Sequence, residues 1–170
     1  ARSPSSNVYH HLLLVSHDAA CAQLGGNAPV LVFEDADVDE AVDGVAFAAF
    51  VASGQTCVSA KRILVHAPIY KAFEAKLVAK VNGLRLGPPM DLGTQIGPLA
   101  SEAALTTVAA QVDQSLSEGA VALAGGKRPS AERCAGLTSG YFYEPTVLSQ
   151  VAPTMSCFQE EIFGPVVSLV

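Results

Sequence analysis

Residues 29–50 read PVLVFEDADVDEAVDGVAFAAF, and this stretch decides the fold class. Val30 to Phe33 form a short apolar run between a proline and an acidic turn, which is typical of a buried strand. Asp37 then stands three residues before Glu40, in the spacing of a capping box, and apolar residues follow at helical spacing. A strand that leads directly into a helix predicts an α/β domain.

The helix that follows Asp37 is almost wholly apolar. Phe47, Phe50 and Val51 lie among small residues, so the pattern predicts a helix that is buried on most sides. Gly54 is predicted to end it, because glycine is the usual residue just beyond a helix. Its acidic first turn suits the positive end of the helix dipole.

The rest of the chain repeats the alternation of strands and helices. Pro68 fits the first turn of a helix that runs to about Asn82, and Ser101 caps another that ends near Gly119. Further strands are predicted at 63–65, 120–124, 146–148 and 166–170. This order predicts a three-layer α/β fold, a mostly parallel sheet flanked by helices.

Two features of the sequence indicate where the last strands lie in the sheet. Pro145 lacks a backbone donor, which confines the strand beside it to a sheet edge or a bend. The chain ends inside the apolar run 166–170, which indicates either a truncated version of a larger protein or an unusual edge strand.

The first 20 residues differ in composition from the rest and predict a loosely structured segment, with the folded domain at 21–170. His10 and His11 are adjacent, and adjacent residues on a strand point to opposite faces, so they are interpreted as surface residues. The early apolar run is too short to span a bilayer, and no secretory signal is recognised.

Composition narrows the classes of function. Half of the residues are apolar and only 15% are charged, which argues against a disordered chain. The net charge is −6 and no block of Lys and Arg stands out, so neither nucleic acid nor a membrane surface is expected as a partner. The four cysteines form no CxxC pair, which predicts no metal site and reduced thiols in the cytoplasm.

Residues 53–60 read SGQTCVSA and contain the one cysteine that is a candidate for a catalytic role. Cys57 follows a predicted helix end in a Gly-Gln-Thr turn, where its thiol can project into a cleft. A helix C-terminus disfavours the thiolate, so activation must come from backbone N–H groups or a bound cofactor. The alternative is a small packing residue, which is the interpretation given to Cys21, Cys134 and Cys157.

Four motifs in this order carry a family resemblance: LGGNAPVLVFEDADVDEAV from Leu24, SGQTC ending at Cys57, IGPL at 96–99 and EEIFGPVV at 160–167. Together they resemble the aldehyde dehydrogenase superfamily from about Gln23 to Val170. The matched part is similar to the catalytic domain of that superfamily, which acts on small-molecule aldehydes with NAD or NADP and forms oligomers. A homo-oligomer is therefore expected here.

The resemblance also implies roles for individual residues. Cys57 matches the nucleophile that forms a thiohemiacetal with the aldehyde; a hydride then passes to the nicotinamide, and the thioester is hydrolysed. Glu161 matches the residue that holds the nicotinamide ribose, and Phe163 the aromatic residue beside it. Leu24 and Gly25 match backbone near the nicotinamide ring.

Two departures from the family pattern modify this expectation. Gln23 stands where the family carries its general-base glutamate, and a carboxamide cannot take a proton from water, so slow thioester hydrolysis is predicted. Only 22 residues precede Gln23, where the cofactor-binding Rossmann region is expected, and no GxGxxG motif occurs. Independent oxidation of aldehydes by this chain alone is therefore not expected.

Three hypotheses remain open at this point. The first is the redox chemistry of the family, with a partner that supplies the cofactor domain. The second is a non-redox enzyme that reuses the cleft, by acyl transfer or hydrolysis at Cys57, or by isomerisation or cyclisation of a reactive small molecule. The third is a non-catalytic interaction subunit whose exposed apolar surface favours self-association.

Overall fold

The computed structural model of the chain describes residues 25–133 and 139–170. The loose segment predicted at 1–20 lies outside the described residues, as do Cys21, Gln23, Leu24 and Cys134, so the predictions made for them stay predictions.

The described residues form five strands and four helices, in the alternating order that the sequence predicts. The strands are β1 (Ala28–Val32), β2 (Ala60–Val65), β3 (Val121–Ala124), β4 (Thr146–Ser149) and β5 (Val166–Leu169). The helices are α1 (Val38–Phe50), α2 (Ala67–Asn82), α3 (Glu102–Ser117) and the short α4 (Ser156–Gln159). None of the helices in these described parts is both long and apolar enough to cross a membrane.

The five strands form one sheet in the order β1-β2-β5-β4-β3. Every neighbouring pair is parallel except β3 with β4, which confirms the mostly parallel sheet. The last strand, β5, occupies the centre of this sheet and not an edge. β4 also lies inside the sheet, and Pro145 stands just before it, where the ladder with β5 has not yet begun.

Two apolar clusters lie on opposite faces of the sheet and confirm the three layers. Successive side chains of a strand point to opposite faces. Val147 and Val167 accordingly pack with α1 and α2, whereas Leu148 and Val166 pack with α3 and α4. All four side chains are fully buried, so the central strands anchor both halves of the core.

α1 begins as the sequence predicts. The side chain of Asp37 accepts hydrogen bonds from the backbone N–H groups of Asp39 and Glu40, at 2.9 and 3.0 Å. These bonds satisfy two of the donors that a helix start leaves free. The capping interpretation of this stretch is therefore confirmed.

Two expectations about α1 were wrong. Phe47 is 72% exposed and Val51 is also exposed, because the helix packs only the stripe that carries Val45 and Ala49 against α2 and the sheet. The helix also ends at Phe50, before Gly54, and a 3-10 turn at Val51–Gly54 follows. Ala52 has a φ of 51°, and the φ angles of the next two residues are also positive. An α-helix cannot continue through such a backbone.

Candidate functional site

The four motifs, although distant in sequence, meet in one place. A β-carbon at Gly26 would lie 2.5 Å from the carbonyl oxygen of Cys57, and one at Gly25 would collide with the carboxylate of Glu161. At Gly26 the obstacle is a backbone atom, so that approach requires a residue without a side chain, and at Gly25 the φ of 77° favours glycine. The structure therefore brings together three residues that the sequence assigned to a site: Gly25, Cys57 and Glu161.

Cys57 lies in a turn between the 3-10 segment and β2. The N–H of Ser59 donates to the carbonyl of Thr56 at 3.1 Å, and the Ser59 hydroxyl lies within hydrogen-bond distance of two carbonyls near the end of α1, those of Ala48 and Ala49. Cys57 is half-buried. Cys157 differs: it is 2% exposed, inside the second apolar cluster, as its packing interpretation requires.

The IGPL motif supports the segment that leads to Cys57, here called the nucleophile loop (residues 52–57). The Ser53 hydroxyl donates to the carbonyl of Gly97 at 2.9 Å. The N–H of Ala100 donates to the side-chain oxygen of Gln55 at 2.9 Å. These bonds hold a strained backbone, because a non-glycine residue in the left-handed region costs roughly 1–2 kcal/mol.

Glu161 offers a free acceptor. Its oxygen Oε1 is buried and has no hydrogen-bond partner among the described residues. The side chain of Gln111 donates to the backbone carbonyl of Glu161 at 3.0 Å and fixes the segment from α3. A buried carboxylate oxygen without a donor is costly, so this atom is suited to a ligand that brings a hydroxyl or N–H group. The ring of Phe163, two residues on, is exposed.

Sequence reasoning missed Lys61, the second residue of β2. It is only 3% exposed, and its Nζ donates to the carbonyls of Gly54 and Gly164, at 2.7 and 2.8 Å. Burial lowers the pKa of Lys61 to about 8, and the nearby carboxylate of Glu161 acts in the opposite direction. A lysine near a strand end usually extends its ammonium into water, so the sequence carries only a weak signal for this role.

Two grooves flank the nucleophile loop, and neither includes Cys57 in its lining. One, of about 400 Å³, runs along α1 and is mostly apolar, with Phe47, Phe50 and Val51 in its wall. The other, of about 430 Å³, lies against the segment that contains Gly97. Both are lined by Ala52, so they lie on two sides of the start of the nucleophile loop.

The chemistry available at this place is that of a half-buried cysteine and a carboxylate acceptor that approach the same segment, at Gly26 and Gly25. Cys57 can act as a nucleophile when it is ionised. Glu161 and Phe163 can hold a polar group and an apolar ring, respectively. Within 25–133 and 139–170 there is no group of three or more His, Cys, Asp and Glu side chains that could bind a metal ion.

The chain matches one protein family over nearly all of its length. The model described as "Aldehyde dehydrogenase family" covers residues 5–170, a wider range than the four motifs. A mitochondrial succinate-semialdehyde dehydrogenase from Oryza sativa subsp. japonica is 45% identical over 87% of this chain and 27% of its own length. A 3-sulfolactaldehyde dehydrogenase from Pseudomonas putida is 44% identical over 86% of this chain and 29% of its own.

Solved structures agree with the sequence relatives. A betaine aldehyde dehydrogenase from Staphylococcus aureus, in complex with NAD+, superposes with a TM-score of 0.82 at 37% identity and covers 86% of this chain. A succinate-semialdehyde dehydrogenase from Burkholderia pseudomallei superposes with a TM-score of 0.79 at 42% identity. The chain spans 28% and 29% of those two proteins, less than a third of each.

Proposed function

Because this chain belongs to the aldehyde dehydrogenase family, we propose that its site serves the NAD- or NADP-dependent oxidation of a small aldehyde, with Cys57 as the nucleophile. One observation carries the proposal: the backbone carbonyl of the half-buried Cys57 and the carboxylate of Glu161, whose Oε1 has no partner among the described residues, approach the same two-glycine segment, at Gly26 and Gly25. The relatives named above act on aldehydes with small polar or charged bodies, which supports that substrate class.

The residues at Glu161 fit the nicotinamide end of a dinucleotide. Its Oε1 is an acceptor that a ribose hydroxyl would satisfy, and Gly25 leaves room for this carboxylate. Phe163 presents an exposed ring beside it, and Leu24 is proposed to contribute backbone near the nicotinamide. A bound nicotinamide supplies the acceptor for the hydride that leaves the aldehyde carbon.

Cys57 forms the covalent bond to substrate. The thiolate attacks the carbonyl carbon, a carbon–sulfur bond forms, and the carbonyl electron pair moves onto oxygen. The backbone N–H of Cys57 donates to no described residue, so it is free to stabilise this oxyanion. Loss of hydride from the carbon then leaves a thioester on the cysteine.

Gln23 is proposed to orient the water that hydrolyses this thioester. Its carboxamide can donate and accept hydrogen bonds but cannot take the proton of the attacking water. Without a general base this step is slowed, typically by about a hundred- to ten-thousandfold. The thioester on Cys57 is therefore expected to persist.

We also propose that the chain works as a homo-oligomer in the cytoplasm. A catalytic thiol needs a reducing compartment, which supports that location. β1 is an edge strand of the sheet that the described residues form; it exposes Leu31, and the exposed Phe33 follows it, so an apolar surface lies beside this edge. Light scattering after size-exclusion chromatography tests the assembly, and a monomer at high concentration would refute it.

Replacing Cys57 with serine tests the nucleophile. Incubation with iodoacetamide, followed by mass spectrometry, is expected to show one rapid adduct on the wild-type chain, at Cys57 among the described cysteines, and none there in the variant. Any reduced nicotinamide that the wild-type chain forms with a small aldehyde and NAD+ is expected to fall by at least about a thousandfold in the variant. Cys157→Ala is the matched control, because its thiol is buried and it should keep the rapid adduct.

The same assay separates oxidation from acyl transfer or hydrolysis at Cys57. Reduced nicotinamide that depends on Cys57 supports oxidation. Turnover of a p-nitrophenyl ester without any dinucleotide, again dependent on Cys57, would favour acyl transfer or hydrolysis. Rapid alkylation of Cys57→Ser at the same rate as wild type would show that the reactive thiol lies elsewhere and would remove the proposal.

A further inference from the structure

Lys61 joins two segments that lie far apart in sequence. Its ammonium donates to the carbonyl of Gly54, three residues before Cys57, and to the carbonyl of Gly164, three residues after Glu161. The side chain, both carbonyl-bearing residues and the space between them are buried. Among the described residues the carbonyl of Gly54 has no other donor, whereas that of Gly164 also accepts from the backbone N–H of Val166 at 2.8 Å.

The two carbonyls need this shared donor. The backbones of Gly54 and Gly164 are so close that a β-carbon on Gly54 would collide with the carbonyl of Gly164. Both carbonyl oxygens lie within hydrogen-bond distance of the same Nζ and repel each other, and without Lys61 the carbonyl of Gly54 would be a buried acceptor with no donor among the described residues. A cationic donor between them removes both penalties, and hydrogen bonds to charged groups are stronger than neutral ones.

The buried charge has a second neighbour. The carboxylate of Glu161 lies near enough to act on Lys61, and it favours the charged ammonium. A buried ammonium is tolerated when it is hydrogen-bonded and paired. Lys61 therefore forms a hydrogen bond with the nucleophile loop and another with the segment that carries Glu161. Its positive charge also interacts with the carboxylate of Glu161.

We propose that Lys61 is a positioning residue that holds Cys57 and Glu161 at a fixed separation by binding the carbonyls of Gly54 and Gly164. This inference rests on the proposed function, because a fixed separation of the thiol and the ribose-binding carboxylate matters only if both take part in one reaction. The bond itself can be tested without any activity. Lys61 touches neither the reacting atoms nor the cofactor, so it acts through the two segments.

Hydrogen exchange of the purified chain, measured by mass spectrometry, tests the bond. In Lys61→Met, peptides that contain residues 53–59 and 162–166 are expected to exchange about ten- to a hundredfold faster than in wild type. Lys61→Gln, which restores an N–H donor without charge, is expected to recover part of the protection. Val81→Ala is the matched control: it removes core contacts in α2 and should loosen α2 peptides without selective loosening of the two segments.

A second measurement serves if Lys61→Met does not fold. The Nζ protons of a lysine held by two buried carbonyls should exchange slowly and give a separate ¹⁵N signal in the wild-type chain, unlike those of the exposed Lys71. Exchange at 53–59 and 162–166 that stays within twofold of wild type in Lys61→Met overturns the proposal. So does an Nζ signal for Lys61 that exchanges as fast as that of Lys71.

Activity then separates this inference from the proposed function. If wild type oxidises an aldehyde, Lys61→Met should lower kcat at least tenfold with little change in KM for the aldehyde, and Lys61→Gln should recover part of kcat. If no reduced nicotinamide forms with wild type but the two segments loosen in Lys61→Met, the bond stands and the proposed function fails. Equal kcat in wild type and Lys61→Met, with unchanged exchange, leaves the function standing and removes the role of Lys61.

Discussion

Replacing Gly54 with alanine is expected to lower the free energy of unfolding by roughly 2–5 kcal/mol. The residue has a φ of 68°, which costs an alanine about 1–2 kcal/mol. The new β-carbon would also collide with the carbonyl oxygen of Gly164, a backbone atom that cannot move aside as a flexible side chain does. Urea denaturation measures the change, which is a large fraction of the 5–15 kcal/mol typical of whole domains.

Two substitutions on the same segment of chain serve as controls. Gly44→Ala lies in α1 with nothing within 4 Å of the new carbon, so it should stabilise by about 0.5–1 kcal/mol. Ala52→Gly relieves a left-handed alanine at a φ of 51° and should stabilise by about 1 kcal/mol. If Gly54→Ala proves as stable as wild type, the close contact between the nucleophile loop and the Glu161 segment is wrong.

Replacing Gln23 with glutamate is expected to accelerate hydrolysis of a thioester on Cys57 by about a hundred- to ten-thousandfold. A carboxylate can take a proton from the attacking water, and a carboxamide cannot. The thioester is formed with p-nitrophenyl acetate, and its decay is followed by mass spectrometry of quenched samples. The gain should appear as pH rises through the pKa of the new carboxyl group, because only its ionised form accepts the proton.

Gln23→Ala separates the base from the size of the side chain. It should leave hydrolysis as slow as in wild type, or slower, because it can neither take a proton nor orient water. Cys57→Ser in the same background should form no thioester at all. A Gln23→Glu chain that deacylates at the wild-type rate would show that residue 23 does not reach the water, and the general-base position would have to be sought elsewhere.

Local chemistry explains why much of the fold was predictable. The cap at Asp37 and the period of α3 depend on residues within a few positions of each other, which a single sequence displays. The strand-helix order likewise predicts a parallel sheet, because parallel neighbours need a crossover. The four motifs named the residues that meet around Gly25, Cys57 and Glu161, although nothing local shows that they touch.

The prediction that α1 is buried on most sides failed for a physical reason. An apolar helix exposes the face that no other element covers. In α1 this face is set by the positions of α2 and the sheet. Phe47 therefore lines a groove although its sequence neighbours are core residues. The same reasoning applies to β5, whose central place follows from the order in which strands pair, and strand order is a property of the whole chain.

The sequence by itself determined the order of elements and the start of α1, because periodicity and capping are short-range properties, and its motifs pointed to Cys57 and Glu161 as candidate site residues. Only the tertiary structure decided what Lys61 does. Its two acceptors are 7 and 103 residues away, and they meet its ammonium because β2 and β5 are neighbours in the sheet. A hydrogen bond across that separation depends on the packing of strands, which no local pattern specifies.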